Sequence, residues 1–193
     1  MEMYELKLTP NLQKLTNQEF FELCQANSEA KLERTKDGEI IIMPPTGGFT
    51  GKINKNILFD LEVWNRKAKL GETFDSSTGF NLPNGATRSP DASWVAQNRW
   101  DALSEAEKKQ FPPLCPDFVI ELMSETDSLV RAKKKMEEWL ENGARLGWLF
   151  FPNDEKAFIY RPSKPTEEII DYRRTLSGED VLPGFSFDLN ILK

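Results

Sequence analysis

The chain of 193 residues contains no histidine. This absence excludes Ser-His-Asp and Cys-His catalysis, zinc sites with histidine ligands, and any imidazole general base. The only cysteines, Cys24 and Cys115, form no CxxC pair, so neither a zinc site nor a disulfide framework can be read from them. Any chemistry must therefore rest on carboxylates, Lys, Arg, Ser, Thr, Tyr, or a hard cation held by oxygen atoms.

Long apolar runs are also missing. The runs at residues 40–43 and 148–151 are far too short to span a bilayer, and residues 1–5 lack the basic region and apolar stretch of a signal peptide. The low cysteine content makes the reducing cytosol the default compartment. We therefore expect a soluble, cytoplasmic protein.

The charge balance is acidic. Thirty-one acidic residues against 25 basic ones give a net charge of −6, which disfavours nucleic acid as a global electrostatic partner. Binding to DNA would then require a local basic patch. Apolar residues nevertheless make up 39% of the chain, which is enough for a substantial core, and the length predicts one domain over residues 1–193.

Helix and turn signals organise the first half of the chain. Thr16 and Glu19 form a capping box ahead of a short helix that reaches about Ala26. Residues 31–34 and 39–43 flank a turn and predict a β-hairpin. Apolar residues at helical spacing then predict a long helix over residues 50–70, ended by Gly71.

The second half is rich in strand signals. We expect strands at residues 73–82, 88–96 and 117–123, with residues 97–116 forming an insertion that contains a short helix. A second long helix is predicted over residues 128–142, capped by Asp127 and stopped by Gly143. A buried strand at 146–151 and a hairpin of residues 157–160 and 168–172 follow. Meandering strands with helices packed on a sheet place the fold in the α/β or α+β class.

Glu121 is the most unusual residue of this pattern. Side chains alternate between the faces of a strand, so Glu121 shares a face with Val119 and Met123 inside an otherwise apolar segment. A lone buried carboxylate costs several kcal/mol, so Glu121 needs a cation, a proton or a metal as its partner. The alternative is an exposed edge strand or a pairing with an arginine.

Asp91 lies at the entrance of the neighbouring predicted strand. Turn formation by Ser89-Pro90-Asp91 would also explain this residue. Two carboxylates on adjacent strands with no histidine nearby suit Mg²⁺ or Mn²⁺, which prefer oxygen ligands.

Lysines flank the apolar stripe of the second long helix. At about 100° per residue, Lys133 and Lys135 lie on opposite sides of the stripe, whereas Lys134 points away from it. A flanking lysine can reach along the sheet toward a carboxylate pair. A solvated basic helix face is the alternative interpretation.

Five segments carry a resemblance to a known family. The chain resembles the Uma2 (DUF820) family over nearly its whole length, in the segments IIMPPTGG (41–48), FDSSTGF (74–80), RSPDASWV (88–95), CPDFVIEL (115–122) and KMEEWLENG (135–143).

The resemblance implies a fold and a set of site residues. The family is similar to the PD-(D/E)xK nucleases, which implies a restriction-endonuclease-like mixed β-sheet flanked by helices. Pro90-Asp91 matches the PD element, and Glu121 matches the acidic residue of the E-x-K element, whose lysine position holds Met123. Lys135 aligns with a lysine of the family's helix, and Glu33 matches a glutamate of its first hairpin.

The activity implied is Mg²⁺- or Mn²⁺-dependent hydrolysis of phosphodiester bonds in DNA. Asp91 and Glu121 would hold the metal, Lys135 would orient water or stabilise charge, and Glu33 would join them as a site residue. Candidate phosphate contacts on the first long helix are Lys52, Lys55, Arg66, Lys67 and Lys69. The alternatives are an inactive nuclease fold that binds nucleic acid or protein, and a glycosidase with a carboxylate pair.

Assembly is the last expectation. PD-(D/E)xK enzymes that cut both strands commonly present two sites, so the resemblance implies a two-fold homodimer. Candidates for an apolar contact patch are Trp100, Phe111, Pro112, Pro113, Phe185 and Phe187. The alternative is that these residues fold back on their own core.

Overall fold

The structure is a computed structural model that describes residues 4–6 and 15–193. Residues 1–3, on which the expected absence of a signal peptide rests in part, lie outside the described residues. The helices of the described part are α1 (Asn17–Ala26), α2 (Gly48–Ala68), α3 (Gln97–Asp101), α4 (Glu105–Lys108) and α5 (Leu129–Glu141), with short 3₁₀ turns at Pro152–Asp154 and Leu189–Leu192.

The strands form three sheets. In the described residues they are β1 (Tyr4–Leu6), β2 (Lys31–Arg34), β3 (Ile40–Met43), β4 (Gly71–Asp75), β5 (Phe80–Asn81), β6 (Thr87–Arg88), β7 (Ala92–Ala96), β8 (Phe118–Leu122), β9 (Leu146–Phe151), β10 (Lys156–Tyr160), β11 (Glu167–Ile169), β12 (Thr175–Ser177) and β13 (Ser186–Asp188). The central sheet has the order β11-β10-β9-β8-β7-β4, the second sheet has the order β1-β3-β2-β6-β5, and β12 pairs with β13.

The central sheet is mixed because α5 connects β8 to β9. These two strands are parallel, as a helical crossover requires, whereas the other neighbours in the sheet are antiparallel. The expected mixed sheet flanked by helices is therefore confirmed.

Each face of the central sheet is covered by a long helix. On one face, the buried Ile53, Ile57 and Leu61 of α2 pack against strand residues such as Trp94 and Trp148. On the other face, Met136 and Trp139 of α5 pack against a second apolar cluster that includes Val119 and Phe158. The alternation of strand side chains thus decides which helix each side chain meets.

Several element boundaries differ from the sequence prediction. Helix α2 ends at Ala68 with Lys69 in the left-handed conformation (φ 54°), so Gly71 does not terminate it. Gly71 instead begins β4, where a Cβ atom would lie 2.1 Å from the carbonyl oxygen of Val95. Close backbone approach, and not helix termination, is the reason for this glycine.

Two predicted strands are divided. The segment 73–82 contains the end of β4 and all of β5, which belong to different sheets, and the segment 88–96 contains the end of β6 and all of β7. Ser89-Pro90-Asp91 interrupts the latter segment and carries the chain from the second sheet to the central sheet. Pro90 has no N–H with which to continue a ladder.

The helix ends give a mixed result. The capping box of α1 is confirmed, and Gly143 has the positive φ (115°) expected just after a helix. Asp127 does not cap α5, because its carboxylate accepts from the backbone N–H of Ser124 at 2.7 Å and the N-cap position belongs to Ser128.

The apolar patch suggested for a dimer is contradicted at Phe185, Phe187 and Pro112, which are buried, whereas Trp100 and Phe111 are half-buried and Pro113 is exposed. Phe185 and Phe187 are 3% and 0% exposed and pack on Trp148 in the core. Phe111 packs edge-on against Phe21, and Trp100 packs on a phenylalanine of β4, so the insertion also covers its own domain. The homodimer itself stays a prediction.

In the described part of the chain, no helix has both the length and the apolar composition needed to cross a bilayer.

Candidate active site

The four predicted site residues come from four different elements, and three of them, Glu33, Glu121 and Lys135, contact one another directly. Glu33 lies in β2, Asp91 directly precedes β7, Glu121 lies in β8 and Lys135 lies in α5. Only a short segment, Ser89 to Asp91, separates the strand that pairs with β2 from the strand that pairs with β8. The site therefore forms where the two large sheets adjoin.

The ammonium group of Lys135 is the centre of the cluster. It donates to Oε1 of Glu33 at 2.9 Å, to Oε2 of Glu121 at 3.1 Å and to the carbonyl oxygen of Ser89 at 3.3 Å. Lys134 is exposed, and Lys133 lies 4.2 Å from the ring centroid of Phe158 on the other flank of α5. The predicted arrangement of the three lysines is confirmed.

Glu121 is buried on the face of β8 that meets α5. This is the face predicted from its alternation with Val119 and Met123, both of which belong to the apolar cluster under α5. Its Oε1 accepts from the indole N–H of Trp139 at 2.8 Å and lies 3.0 Å from the ammonium of Lys135. The carboxylate thus has a cation as its partner, as its burial requires.

Glu33 is enclosed by hydrogen-bond donors. Its Oε1 accepts from the backbone N–H of Ser89 at 2.9 Å, and its Oε2 lies 3.1 Å from the guanidinium of Arg88. Arg88 in turn donates through Nε to Glu138 at 2.7 Å. Glu33 is only 2% exposed. Its two carboxylate oxygens hold the ammonium of Lys135 and the guanidinium of Arg88 in place.

Asp91 lies beside this network at a bend in the chain. Its Oδ2 accepts from the backbone N–H of Leu122 at 2.7 Å, one residue after Glu121. Its Oδ1 accepts from the side-chain amide of Asn54 in α2 at 3.2 Å. Asp91 therefore contacts both the central sheet and α2, the helix that covers the sheet face opposite to α5.

The charges of the cluster shift one another's pKa values. Burial raises the pKa of Glu121 to about 7, and Asp91 and Glu33 add to this effect while Lys135 opposes it. Burial also opposes ionisation of Glu33, but Lys135 and Arg88 together lower its pKa to about 2. Burial lowers the pKa of Lys135, yet Glu121 and Glu33 outweigh burial and raise it above its usual range. Lys135 consequently stays protonated at neutral pH.

These shifts predict how the stability of the metal-free protein depends on pH. The folded state holds a proton on Glu121 that the unfolded state releases above its ordinary pKa of 4.5, so stability falls as the pH rises from about 4.5 to about 7. We expect a loss of about 3 kcal/mol over this window from Glu121. The contribution of Glu33 has the opposite sign and disappears as the pH falls from about 4.5 to about 2.

Urea unfolding with EDTA at pH 5 and pH 8 tests the contribution of Glu121. The Glu121→Gln variant carries no titrating group at this position, so its stability should change much less than that of the wild type between the two pH values. Parallel curves for the two proteins would contradict the assignment of the raised pKa to Glu121.

The donor set fits a hard divalent cation. Asp91 and Glu121 supply two carboxylates, and Mg²⁺ is usually held by one or two carboxylates together with water. Burial is the main cause of the raised pKa of Glu121, with Asp91 and Glu33 adding to it, and a bound cation would favour the ionised carboxylate. Within residues 15–193, however, no three acidic or cysteine side chains come close enough together to hold a metal by themselves.

Three contacting residues were not identified as site residues from the sequence. Arg88 and Glu138 form an ion pair at 2.7 Å beside Glu33. The sequence gives no distinct sign of this pair, because charged residues are common at strand ends and on the flanks of helices. Asn54 follows the buried Ile53 in α2. Its position next to the apolar stripe was the one feature of the sequence that could have indicated a contact with the site. The amide oxygen of Asn54 is buried and accepts no hydrogen bond from any described residue, which costs about 1–3 kcal/mol.

The predicted phosphate contacts of α2 form no hydrogen bond or ion pair with this cluster in the described residues. Lys52, Lys55 and Lys67 are exposed, and Arg66 pairs with Glu62 at 2.7 Å. Lys69 is exposed at the end of the helix. A role for these residues in binding nucleic acid stays a prediction.

Comparison with known proteins connects this site to a family. The model of the Uma2 family, described as "Putative restriction endonuclease", matches residues 17–190. The fold is similar to a crystal structure of "a putative nuclease belonging to DUF820" from Anabaena variabilis ATCC 29413, with a TM-score of 0.77 and 21% sequence identity over 93% of this chain and 97% of that chain. A search of curated proteins gave no match. Because the family model matches most of its length, the chain belongs to the Uma2 family.

Proposed function

We propose that the protein is a nuclease that hydrolyses phosphodiester bonds of DNA with Mg²⁺ or Mn²⁺. The observation that carries the proposal is the ammonium of Lys135, held 2.9 Å from Glu33 and 3.0 Å from Glu121 beside Asp91. Two carboxylates and a fixed lysine on a restriction-endonuclease-like sheet supply the groups that this hydrolysis needs without histidine. The family description and the related fold point the same way.

Asp91 and Glu121 are the residues that would hold the cation. When bound, the cation supplies an electrophile for the phosphate and lowers the pKa of a coordinated water. The backbone N–H of Leu122 and the indole N–H of Trp139 fix the two carboxylates, which limits the reorganisation required of them.

Lys135 acts as a positive charge and not as a base. Its raised pKa keeps it protonated, so it donates hydrogen bonds and stabilises the negative charge that develops on the phosphate. Glu33 and the carbonyl oxygen of Ser89 hold the ammonium in place. Lys135 thereby takes the role that Met123, buried in the apolar cluster, cannot take.

The dependence on metal is the direct test of this proposal. Supercoiled plasmid and single-stranded DNA are incubated with the protein and Mg²⁺ or Mn²⁺, and cleavage is followed on gels. We expect cleavage that disappears with EDTA and returns when the metal is restored in excess. Retention of DNA without cleavage under all metal conditions would favour the inactive, DNA-binding alternative and contradict the proposal.

A further inference from the structure

Among the described residues, Asn54 is the residue of α2 whose side chain hydrogen-bonds to the candidate active site. Its neighbour Ile53 is fully buried against the central sheet, and a step of about 100° around the helix brings Asn54 to the side where Asp91 lies. The side-chain nitrogen Nδ2 is 3.2 Å from Oδ1 of Asp91.

The other end of this amide has no partner. The oxygen Oδ1 of Asn54 is inaccessible to solvent and receives no hydrogen bond from the described residues. Buried polar side-chain atoms in folded proteins are rarely left in this condition, so an orphaned oxygen next to a carboxylate calls for an explanation. A bound cation or its water would provide one.

Two carboxylates leave several positions around a hard cation to other oxygen ligands. No group of three acidic side chains capable of holding a metal occurs in residues 15–193, and the ammonium of Lys135 lies 2.9 Å from Glu33 and 3.0 Å from Glu121. A neutral amide oxygen adds a hard ligand without adding negative charge to a cluster that already holds the carboxylates of Glu33, Asp91 and Glu121.

The spacing between Asn54 and Asp91 also suits a shared cation. Neighbouring oxygens in an octahedron around Mg²⁺, with bonds near 2.1 Å, are separated by about 3 Å. The two side chains already approach to 3.2 Å through Nδ2 and Oδ1. The amide oxygen of Asn54 belongs to the same planar group as this nitrogen, so a cation bound to it would lie close to Asp91.

We propose that Asn54 belongs to the cation site and supplies its amide oxygen as a ligand next to Asp91. The inference rests on the proposed metal-dependent function, because it assigns a residue to the same site. It adds a ligand from α2 to the two carboxylates from the central sheet.

Equilibrium binding of Mn²⁺, followed by the loss of the free-ion signal in electron paramagnetic resonance, tests Asn54 independently of cleavage. We expect Asn54→Leu to weaken Mn²⁺ binding by about 10- to 100-fold. Asn54→Asp, which keeps an oxygen at the same place, should retain binding. The matched control is Asn56→Leu, since Asn56 lies in the same helix and makes no side-chain hydrogen bond with the described residues.

The thermal midpoint with and without Mg²⁺ gives a second readout and shows that each variant is folded. If Asn54→Leu binds Mn²⁺ as tightly as the wild type, Asn54 is not a ligand and the inference fails while the metal-dependent function stands. If the wild type binds no Mn²⁺, the proposed function fails and the inference fails with it.

Discussion

Replacement of Asp91 by asparagine is expected to lower Mg²⁺-dependent DNA cleavage by on the order of 10³-fold or more. The variant removes the negative charge that would hold the cation while keeping an oxygen that can accept from the N–H of Leu122. The measurement is the single-turnover rate on plasmid DNA, with the circular dichroism spectrum and thermal midpoint as evidence that the fold is intact.

Asp37→Asn is the matched control for this substitution. Asp37 is exposed in the turn between β2 and β3, so its variant should cleave at the wild-type rate. A wild-type rate in Asp91→Asn would place the cation elsewhere and remove Asp91 from the mechanism.

Replacement of Lys135 by methionine should lower cleavage by on the order of 10²-fold or more. The ammonium is held by Glu33, Glu121 and the carbonyl oxygen of Ser89, so it is already in place before the substrate arrives. The carboxylate of Asp91 is untouched by this change, and we expect Mn²⁺ binding to survive. Cleavage rate and Mn²⁺ affinity are measured on the same preparation.

Lys134→Met separates the effect of Lys135 from a general loss of positive charge on α5. Lys134 is exposed and neighbours Lys135 in sequence, so its replacement should leave the rate nearly unchanged. Equal rates for wild type and Lys135→Met, in a protein inactivated by Asp91→Asn, would contradict the assigned role and direct attention to Lys133.

The parts of the site that follow simple periodicity were predictable from the sequence. Alternation in β8 placed Glu121 on the same face as Val119 and Met123, which is the face that meets α5 in the structure. Helical periodicity placed Lys135 beside the apolar stripe that contains Trp139. The family resemblance then selected Glu33, whose contact with Lys135 joins β2 of the second sheet to α5 and leaves no local pattern.

Contacts between distant segments could not be predicted in the same way. The partnership of Arg88 with Glu33 and Glu138 depends on how β2, β6 and α5 pack together, which neither strand nor helix periodicity encodes. Gly71 was misassigned for a related reason. A glycine after a helix is a common terminator, whereas its close approach to Val95 arises from the pairing of β4 with β7.

The ion pair between Glu33 and Lys135 has a consequence for folding. The two residues are 102 positions apart, whereas Glu121 and Lys135 are only 14 positions apart within the β8-α5 unit. Contacts that close long loops form at a higher entropic cost than local ones. Glu121 and Lys135 can therefore meet early in folding, but Glu33 joins them only after the hairpin of β2 and β3 has docked, so the complete site assembles later than its β8-α5 half.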